Sequence, residues 1–107
     1  MKITIDVIPV SSICEFAEQH GLELEVKERK VEVGSENRYY ACFVRTEVKD
    51  GGLLRGEFGN GSTPEEAIDN YAKEIEIKTI VVNAYSDTER KEIEVPRLFK
   101  EKENQNG

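Results

Sequence analysis

The sequence predicts one α+β domain, in which two helices lie on one face of an antiparallel sheet. Several short stretches alternate apolar with charged residues, which is typical of strands with one buried face. Two other stretches begin with strong helix-start signals. The 107 residues suffice for a single hydrophobic core. We expect the domain to cover residues 1–96, and the polar residues 97–107 to form a disordered tail.

The chain begins with a strand and a short helix. Residues 2–7 alternate polar with apolar side chains, and Pro9 stops that strand or places it at a sheet edge. Ser12 and Glu15 have the spacing of a capping box, so a helix should begin there. Gly21 suits its C-terminal end.

Three strands should follow the first helix. Residues 22–26 alternate, and residues 38–49 are the longest strand candidate. Asp50 and Gly51 are a strong hairpin signal, so residues 53–58 should return alongside the long strand.

The second helix is the best-specified element. Thr63 is a good N-cap, Pro64 suits the first helical position, and Glu66 completes a capping box. One apolar stripe follows at helical spacing: Ala67, Ile68, Tyr71, Ala72 and Ile75. Before this helix, residues 59–61 read Gly-Asn-Gly, which predicts a tight turn with unusual backbone dihedrals. An anion-binding loop is the alternative, but the lysine of such loops is missing.

A second hairpin should follow this helix. Residues 79–85 are rich in β-formers, and residues 91–95 alternate up to Pro96. Together with the N-terminal strand, this C-terminal hairpin should extend or cover the sheet.

Residues 11–77 resemble the double-stranded RNA-binding domain. The element order helix, three strands, helix is that of the family, and residues 59–72 lie in register with its Gly-x-Gly-x-Ser-Lys-Lys-x-Ala motif. The resemblance implies an αβββα core. It also implies RNA binding through lysines at the start of the second helix, but the matching positions are Pro64, Glu65 and Ile68. Because the charge there is reversed, we do not expect RNA binding by the surface that the family uses.

The stretch from residue 16 to residue 96 is similar to small uncharacterised phage and prophage proteins of Gram-positive hosts. The runs that carry this likeness are Gly-Asn-Gly-Ser-Thr-Pro-Glu-Glu-Ala, Thr-Ile-Val-Val-Asn-Ala-Tyr and Arg-Lys-Glu-Ile-Glu-Val-Pro. The resemblance implies an accessory protein made in an infected or lysogenic cell. It brings no established catalytic or binding residue.

The charge balance favours a protein partner over nucleic acid. The net charge is −7, which opposes nonspecific attraction to phosphates. Glu65, Glu66, Asp69 and Glu74 lie on the polar side of the second helix. We interpret them as the candidate binding face of a non-enzymatic interaction module for a host or phage protein, and an ordinary solvated helix face is the alternative.

A nucleic-acid-binding module is the alternative function. Lys27, Arg29, Lys30 and Arg38 form the one basic cluster of the folded part, in the first hairpin. Because glutamates are interleaved with them, ordinary surface ion pairs are the simpler interpretation.

No residue pattern indicates an enzyme, a metal site or another cofactor. Cys14 and Cys42 lack metal-ligand spacing, and we expect two buried thiols, with a disulfide as the alternative that their spacing leaves open. His20, the single histidine, suits the negative end of the first helix. No stretch approaches the ~20 apolar residues of a membrane span, and no signal peptide is apparent. We therefore expect a protein of the bacterial cytoplasm with no membrane partner.

Overall fold

The computed structural model describes residues 10–31 and 35–99. The expected N-terminal strand at residues 2–7 lies outside the described residues, as do residues 100–107 of the expected tail. The described part is an α+β structure with two helices. Its elements, in chain order, are β1 (Val10–Ser12), α1 (Ile13–His20), β2 (Leu24–Glu28), β3 (Tyr39–Phe43), β4 (Thr46–Asp50), β5 (Leu53–Arg55), β6 (Gly59–Gly61), α2 (Pro64–Ile75), β7 (Thr79–Val82), β8 (Lys91–Glu94) and β9 (Arg97–Phe99).

The strands form three sheets rather than one. Two antiparallel sheets have the orders β2-β3-β6 and β5-β4-β7-β8, and β1 pairs in parallel with β9. Among the described residues, five strands therefore lie between the two helices, in place of the three that an αβββα core requires. The extra strands arise because both long strands break when they pass from the first sheet into the second.

The first break lies within the predicted long strand. After β3, Val44 and Arg45 form a turn, and Arg45 adopts a left-handed backbone with φ 54°. The second break separates β5 from β6 at residues 56–58. The predicted hairpin at Asp50 and Gly51 is confirmed, since Asp50 pairs with Leu53 and Gly51 has φ 64°.

The capping signals of α1 are confirmed. The Glu15 backbone N–H donates to Ser12 Oγ at 3.1 Å, and the Ser12 N–H donates to Glu15 Oε1 at 3.2 Å. Gly21 ends the helix with φ 66°. This reciprocal box satisfies two N–H groups that a helix start would otherwise leave unpaired.

One of the two hydrogen bonds of the predicted capping box of α2 forms as expected, and the other goes to a different residue. The Glu66 N–H donates to Thr63 Oγ1 at 3.1 Å, as expected. The Glu66 carboxylate instead accepts from the Ser62 N–H at 2.7 Å and from its hydroxyl at 3.0 Å. The predicted apolar stripe is confirmed, with Ile68 half-buried and the other four members buried.

The prediction of a glycine turn at residues 59–61 is wrong. These residues form β6, in which Gly61 pairs with Tyr39 and Gly59 with Ala41. The glycines are needed for space rather than for unusual dihedrals, because α2 lies directly against β6. A Cβ on Gly61 would lie 2.5 Å from the backbone nitrogen of Ala67. This contact brings the polar N-terminal half of α2 close to the edge of the first sheet.

The core joins both helices and the first sheet, and residues of the second sheet such as Val48, Ile80 and Ile93 belong to the same buried cluster. Phe43 is central: its ring is 5.4 Å from that of Tyr71 on α2 and 6.2 Å from that of Phe16 on α1. All three side chains are buried. Burial of such aromatic side chains supplies much of the hydrophobic stabilisation in a small domain.

The C-terminal hairpin is confirmed, but the predicted tail begins too early. β7 pairs antiparallel with β8 and also with β4, so the hairpin extends the second sheet. Residues 97–99, assigned to the tail from sequence, form β9 and pair with β1. Neither helix of the described part is long and apolar enough to cross a membrane.

Candidate functional site

The predicted acidic face occupies half of the circumference of α2. Glu65 and Glu74 are both exposed, and nine helical residues turn the chain through about 900°, so they lie on opposite flanks of the exposed side. Glu66 and Asp69 lie between these flanks. The structure therefore does not gather the four carboxylates into one compact site; it distributes them over one side of the helix.

A polar hollow of about 550 Å³ lies beside the middle of this face. Its lining includes Glu36, Asn60, Glu66, Asp69, Asn70 and Lys73. The Asn70 side-chain amide donates to the backbone oxygen of Asn60 at 2.6 Å, which ties α2 to β6. With three carboxylates and one ammonium group, the hollow has an excess of negative charge.

The predicted basic cluster is largely engaged with its own hairpin. Arg38 contacts Glu28 Oε2 at 2.6 Å, and this hydrogen bond raises the pKa of the Arg38 guanidinium. Lys27 lies 3.7 Å from Glu25. In both contacts a basic residue of the cluster pairs with a glutamate of the same hairpin. Lys30 is exposed.

Arg29 is held more firmly than the other members of this cluster. Its Nη1 atom donates to the Asn37 backbone oxygen at 2.8 Å and to Asn60 Oδ1 at 2.7 Å. Its guanidinium lies 4.3 Å from the centroid of the Tyr40 ring and 5.5 Å from that of Phe58. These distances are those of a cation–π interaction, so Arg29 is a structural residue of this sheet face.

A third site, which sequence reasoning missed, is an open cleft of about 720 Å³ where the two antiparallel sheets meet. We call it the inter-sheet cleft. Apolar atoms make up most of its walls. Cys42 and Val44 contribute from β3 and the turn after it, Phe58 from the segment between β5 and β6, and Tyr85 from the β7–β8 connection. Tyr85 is 89% exposed and Phe58 is 45% exposed, so both rings present apolar surface that the fold does not cover.

Two residues with left-handed backbone shape this cleft. Arg45 and Asn83, with φ 54° and 55°, both line it. The Asn83 N–H donates to the Arg45 backbone oxygen at 2.9 Å, and Arg45 Nε donates to Asn83 Oδ1 at 3.1 Å. Asparagine tolerates this conformation, but arginine adopts it rarely. The mutual hydrogen bonds hold the bend after β3 against the end of β7.

Three carboxylates and one guanidinium lie in the lining of the cleft. Glu25 is paired with Lys27, and Glu57 Oε2 lies 3.5 Å from Arg55. Glu47 on β4 differs from both of these. It is half-buried, and within the described part of the chain its Oε1 atom is buried without a hydrogen-bond partner. A buried carboxylate oxygen without a partner is costly, so this wall of the cleft favours a positively charged group.

The cysteines and the histidine do not form a reactive cluster. Cys14 is exposed, which corrects the expectation that both thiols are buried, and Cys42 is half-buried. Burial raises the pKa of the Cys42 thiol. The His20 ring contacts Phe16 at 4.5 Å, at the end of α1. Among residues 10–31 and 35–99, no group of three or more His, Cys, Asp or Glu side chains is placed to hold a metal ion.

Comparison of the chain with protein-family models, curated proteins and solved structures yields no match.

Proposed function

We propose that this protein is a non-enzymatic protein-interaction module, and that the exposed acidic side of α2 binds a basic surface of a host or phage protein. The observation that carries the proposal is the charge excess on this side. Within the described residues neither Glu65 nor Glu74 lies within 4 Å of a basic group, although the charge of Glu74 contributes to the raised pKa of Arg55. In the adjoining hollow, the described lining has three carboxylates and one basic residue, Lys73. The accessory role in an infected or lysogenic cell belongs to the same proposal, because it rests on the resemblance to phage and prophage proteins.

Two features of α2 suit it to this role. The helix is anchored by Tyr71 and Ile75, which are buried, so its exposed side is presented by a rigid element. Its first turn carries Glu65 and Glu66, whose charges are favourable at the positive end of the helix dipole. Opposite charges across an interface speed the encounter and select the partner, whereas like charges repel other candidates such as nucleic acid.

The test is a quantitative affinity capture from bacterial lysate with a charge-reversed variant. We expect the double variant Glu65→Lys, Asp69→Lys to recover at least about tenfold less of the specific partner than the unchanged protein, because two attractive contacts become repulsive. The melting temperature should fall by no more than a few degrees, since Glu65 is exposed and Asp69 only half-buried. Raising the salt concentration should release the partner.

A matched control separates the acidic face from net charge. Glu89→Lys with Glu94→Lys makes the same change in net charge at two exposed positions outside α2. This control should capture the partner as well as the unchanged protein does. Equal recovery by the α2 variant and the unchanged protein would contradict the proposal.

Nucleic-acid binding by the first hairpin is the alternative function. Fluorescence anisotropy against duplex RNA, duplex DNA and single-stranded DNA decides between the two functions. The variant Lys27→Glu, Lys30→Glu removes the exposed lysines but keeps the contacts of Arg29 with Tyr40. Binding that weakens steeply with salt and is lost in this variant would favour the alternative. We expect no binding at micromolar protein.

A further inference from the structure

We propose that the inter-sheet cleft binds an arginine side chain, presented by an extended peptide segment of a partner protein. This site is independent of the acidic side of α2. The helix covers the face of the first sheet that contains Ala41, which is fully buried. Cys42, the next residue of β3, points to the opposite face and lines the cleft. The two surfaces therefore lie on opposite sides of the same sheet.

The shape of the cleft suits a side chain with an apolar stem. Its volume of about 720 Å³ is within the range of roughly 300–1,000 Å³ that is common for ligand pockets. Tyr85 and Phe58 offer two aromatic surfaces that the fold itself leaves exposed. The methylene groups of an arginine stem can pack on such rings while the charged group stays near polar atoms. Within the described residues, an all-apolar ligand would leave the Glu47 carboxylate unpaired.

Charge selects a cation for this cleft. Among the three carboxylates in its lining, Glu47 alone makes no ion pair within the described residues, and one of its oxygens is buried and unpartnered. Because this oxygen is covered while the side chain as a whole is half-buried, a ligand in the cleft contacts Glu47 through its other oxygen. Arg45 is the one cation of the lining; it is exposed at the rim and its Nε is bonded to Asn83. The inner wall thus remains complementary to a positive group.

The chain itself provides the reason for choosing arginine over lysine. The Arg29 guanidinium lies 5.5 Å from the centroid of the Phe58 ring, and Arg29 is not part of the cleft lining. The same guanidinium also lies over the Tyr40 ring, whose centroid is 5.8 Å from that of the Phe58 ring. A planar guanidinium stacks on aromatic faces and can bind a carboxylate through two parallel hydrogen bonds, whereas an ammonium group makes only point contacts.

The test measures the binding of three capped tripeptides by ¹⁵N–¹H NMR titration of the full chain. The peptides are Ala-Arg-Ala, Ala-Lys-Ala and Ala-citrulline-Ala, each with acetyl and amide ends; citrulline keeps the shape of arginine without its charge. We expect the arginine peptide to bind weakly, with Kd on the order of 1 mM, as suits so small a ligand. The citrulline peptide should bind about tenfold less tightly, and the lysine peptide should lie between them. The shifted amides should be those of residues 44–47, 57–58 and 83–86.

Variants of the cleft make the assignment specific. Glu47→Gln keeps the size of the side chain but removes its charge. It should weaken binding of the arginine peptide about tenfold and leave binding of the citrulline peptide unchanged. This difference is expected if the guanidinium contacts the Glu47 carboxylate directly. The matched control Glu94→Gln removes an exposed carboxylate of β8 outside the cleft and should change neither peptide. Tyr85→Ser should weaken the arginine peptide about threefold without affecting folding, since this side chain is 89% exposed.

Each result decides the proposal. Preferential binding of the arginine peptide, with shifts in the cleft and loss in Glu47→Gln, supports it. Equal binding of the arginine and citrulline peptides overturns it, and so does the absence of shifts at millimolar peptide. Equal binding of the lysine peptide overturns the selection of a guanidinium. Amide shifts confined to α2 would overturn the proposal that the cleft binds arginine. They would instead support binding by the acidic side of α2, so the two proposals can fail separately.

Discussion

The packing of β6 against α2 predicts that Gly59 cannot accept even one methyl group. A Cβ at this position would lie 2.6 Å from the Cα atom of Tyr71, and closer still to the Tyr71 backbone nitrogen and the Ala67 backbone oxygen. Carbon atoms in contact prefer about 3.5–4.0 Å, so the strand and the helix would have to separate by on the order of 1 Å. All three obstructing atoms belong to backbone, which cannot rotate away as a side chain can.

The cost follows from the general range for overpacked sites. Such substitutions typically cost about 1–3 kcal/mol, and Gly59→Ala should reach the upper end because the obstruction is backbone. A loss of about 3 kcal/mol is a large share of the roughly 5–15 kcal/mol that stabilises a typical domain. At about 4–8 °C per kcal/mol for a domain of this size, the melting temperature should fall by at least about 12 °C. Thermal and urea unfolding followed by circular dichroism both measure this change.

Gly52→Ala is the matched control. An added Cβ there meets no heavy atom within 4 Å, and the residue does not have a left-handed backbone. We expect its melting temperature to stay within about 2 °C of the unchanged protein, or to rise slightly because the unfolded chain loses freedom. If Gly59→Ala melted like Gly52→Ala, the close approach of β6 to α2 would be wrong, and with it the placement of the acidic side of the helix.

Two further predictions concern titratable groups. Burial raises the pKa of Tyr71 to about 12 from 10.0. As the pH rises, the phenol therefore loses its proton in the unfolded chain before it does so in the folded protein. The free energy of unfolding should consequently fall by about 2–3 kcal/mol in total between about pH 10 and about pH 12. Urea titrations across that range should show this loss in the unchanged protein and a smaller loss in Tyr71→Phe, and equal losses would refute the assignment. Because Cys14 is exposed while burial raises the pKa of Cys42, a disulfide reagent at pH 8 should modify Cys14 at least about tenfold faster. Cys14→Ser should remove the fast phase, and denaturant should abolish the difference between the two thiols.

Local signals in the sequence predicted the helices well. The Ser12–Glu15 box and Gly21 define α1, because capping groups and left-handed glycines act within a few residues of where they stand. Thr63 and the apolar stripe define α2 for the same reason. The Asp50–Gly51 hairpin is likewise a short-range feature. These elements could be predicted because each depends on neighbouring residues alone.

The sequence misleads about glycines whose role depends on distant residues. The neighbours of Gly59 and Gly61 predict a turn, whereas their lack of a side chain is required by backbone atoms of α2. The spacing Gly-x-Gly is compatible with both roles, since alternate residues of a strand face the same side. A sequence pattern at this position therefore indicates only that space or freedom is needed, and tertiary packing decides which.

The cleft could not be predicted because the break between β3 and β4 carries no usual strand breaker, and Gly56, at the break between β5 and β6, falls inside a stretch that reads as one strand. Val44 and Arg45 interrupt a β-rich stretch that reads as one strand, and an arginine is a poor signal for a left-handed bend. Its partner Asn83 is the one residue with a propensity for that conformation, and it lies 38 positions away. Two features of the sequence nevertheless point to the region once the fold is known. Glu47 pairs with the apolar Val81 of the adjacent strand β7, and Tyr85 follows that buried strand yet remains exposed. A carboxylate and an aromatic ring that the fold leaves without partners are what a site for an external cation requires, so the misfit of these residues within the chain is itself the argument for a ligand.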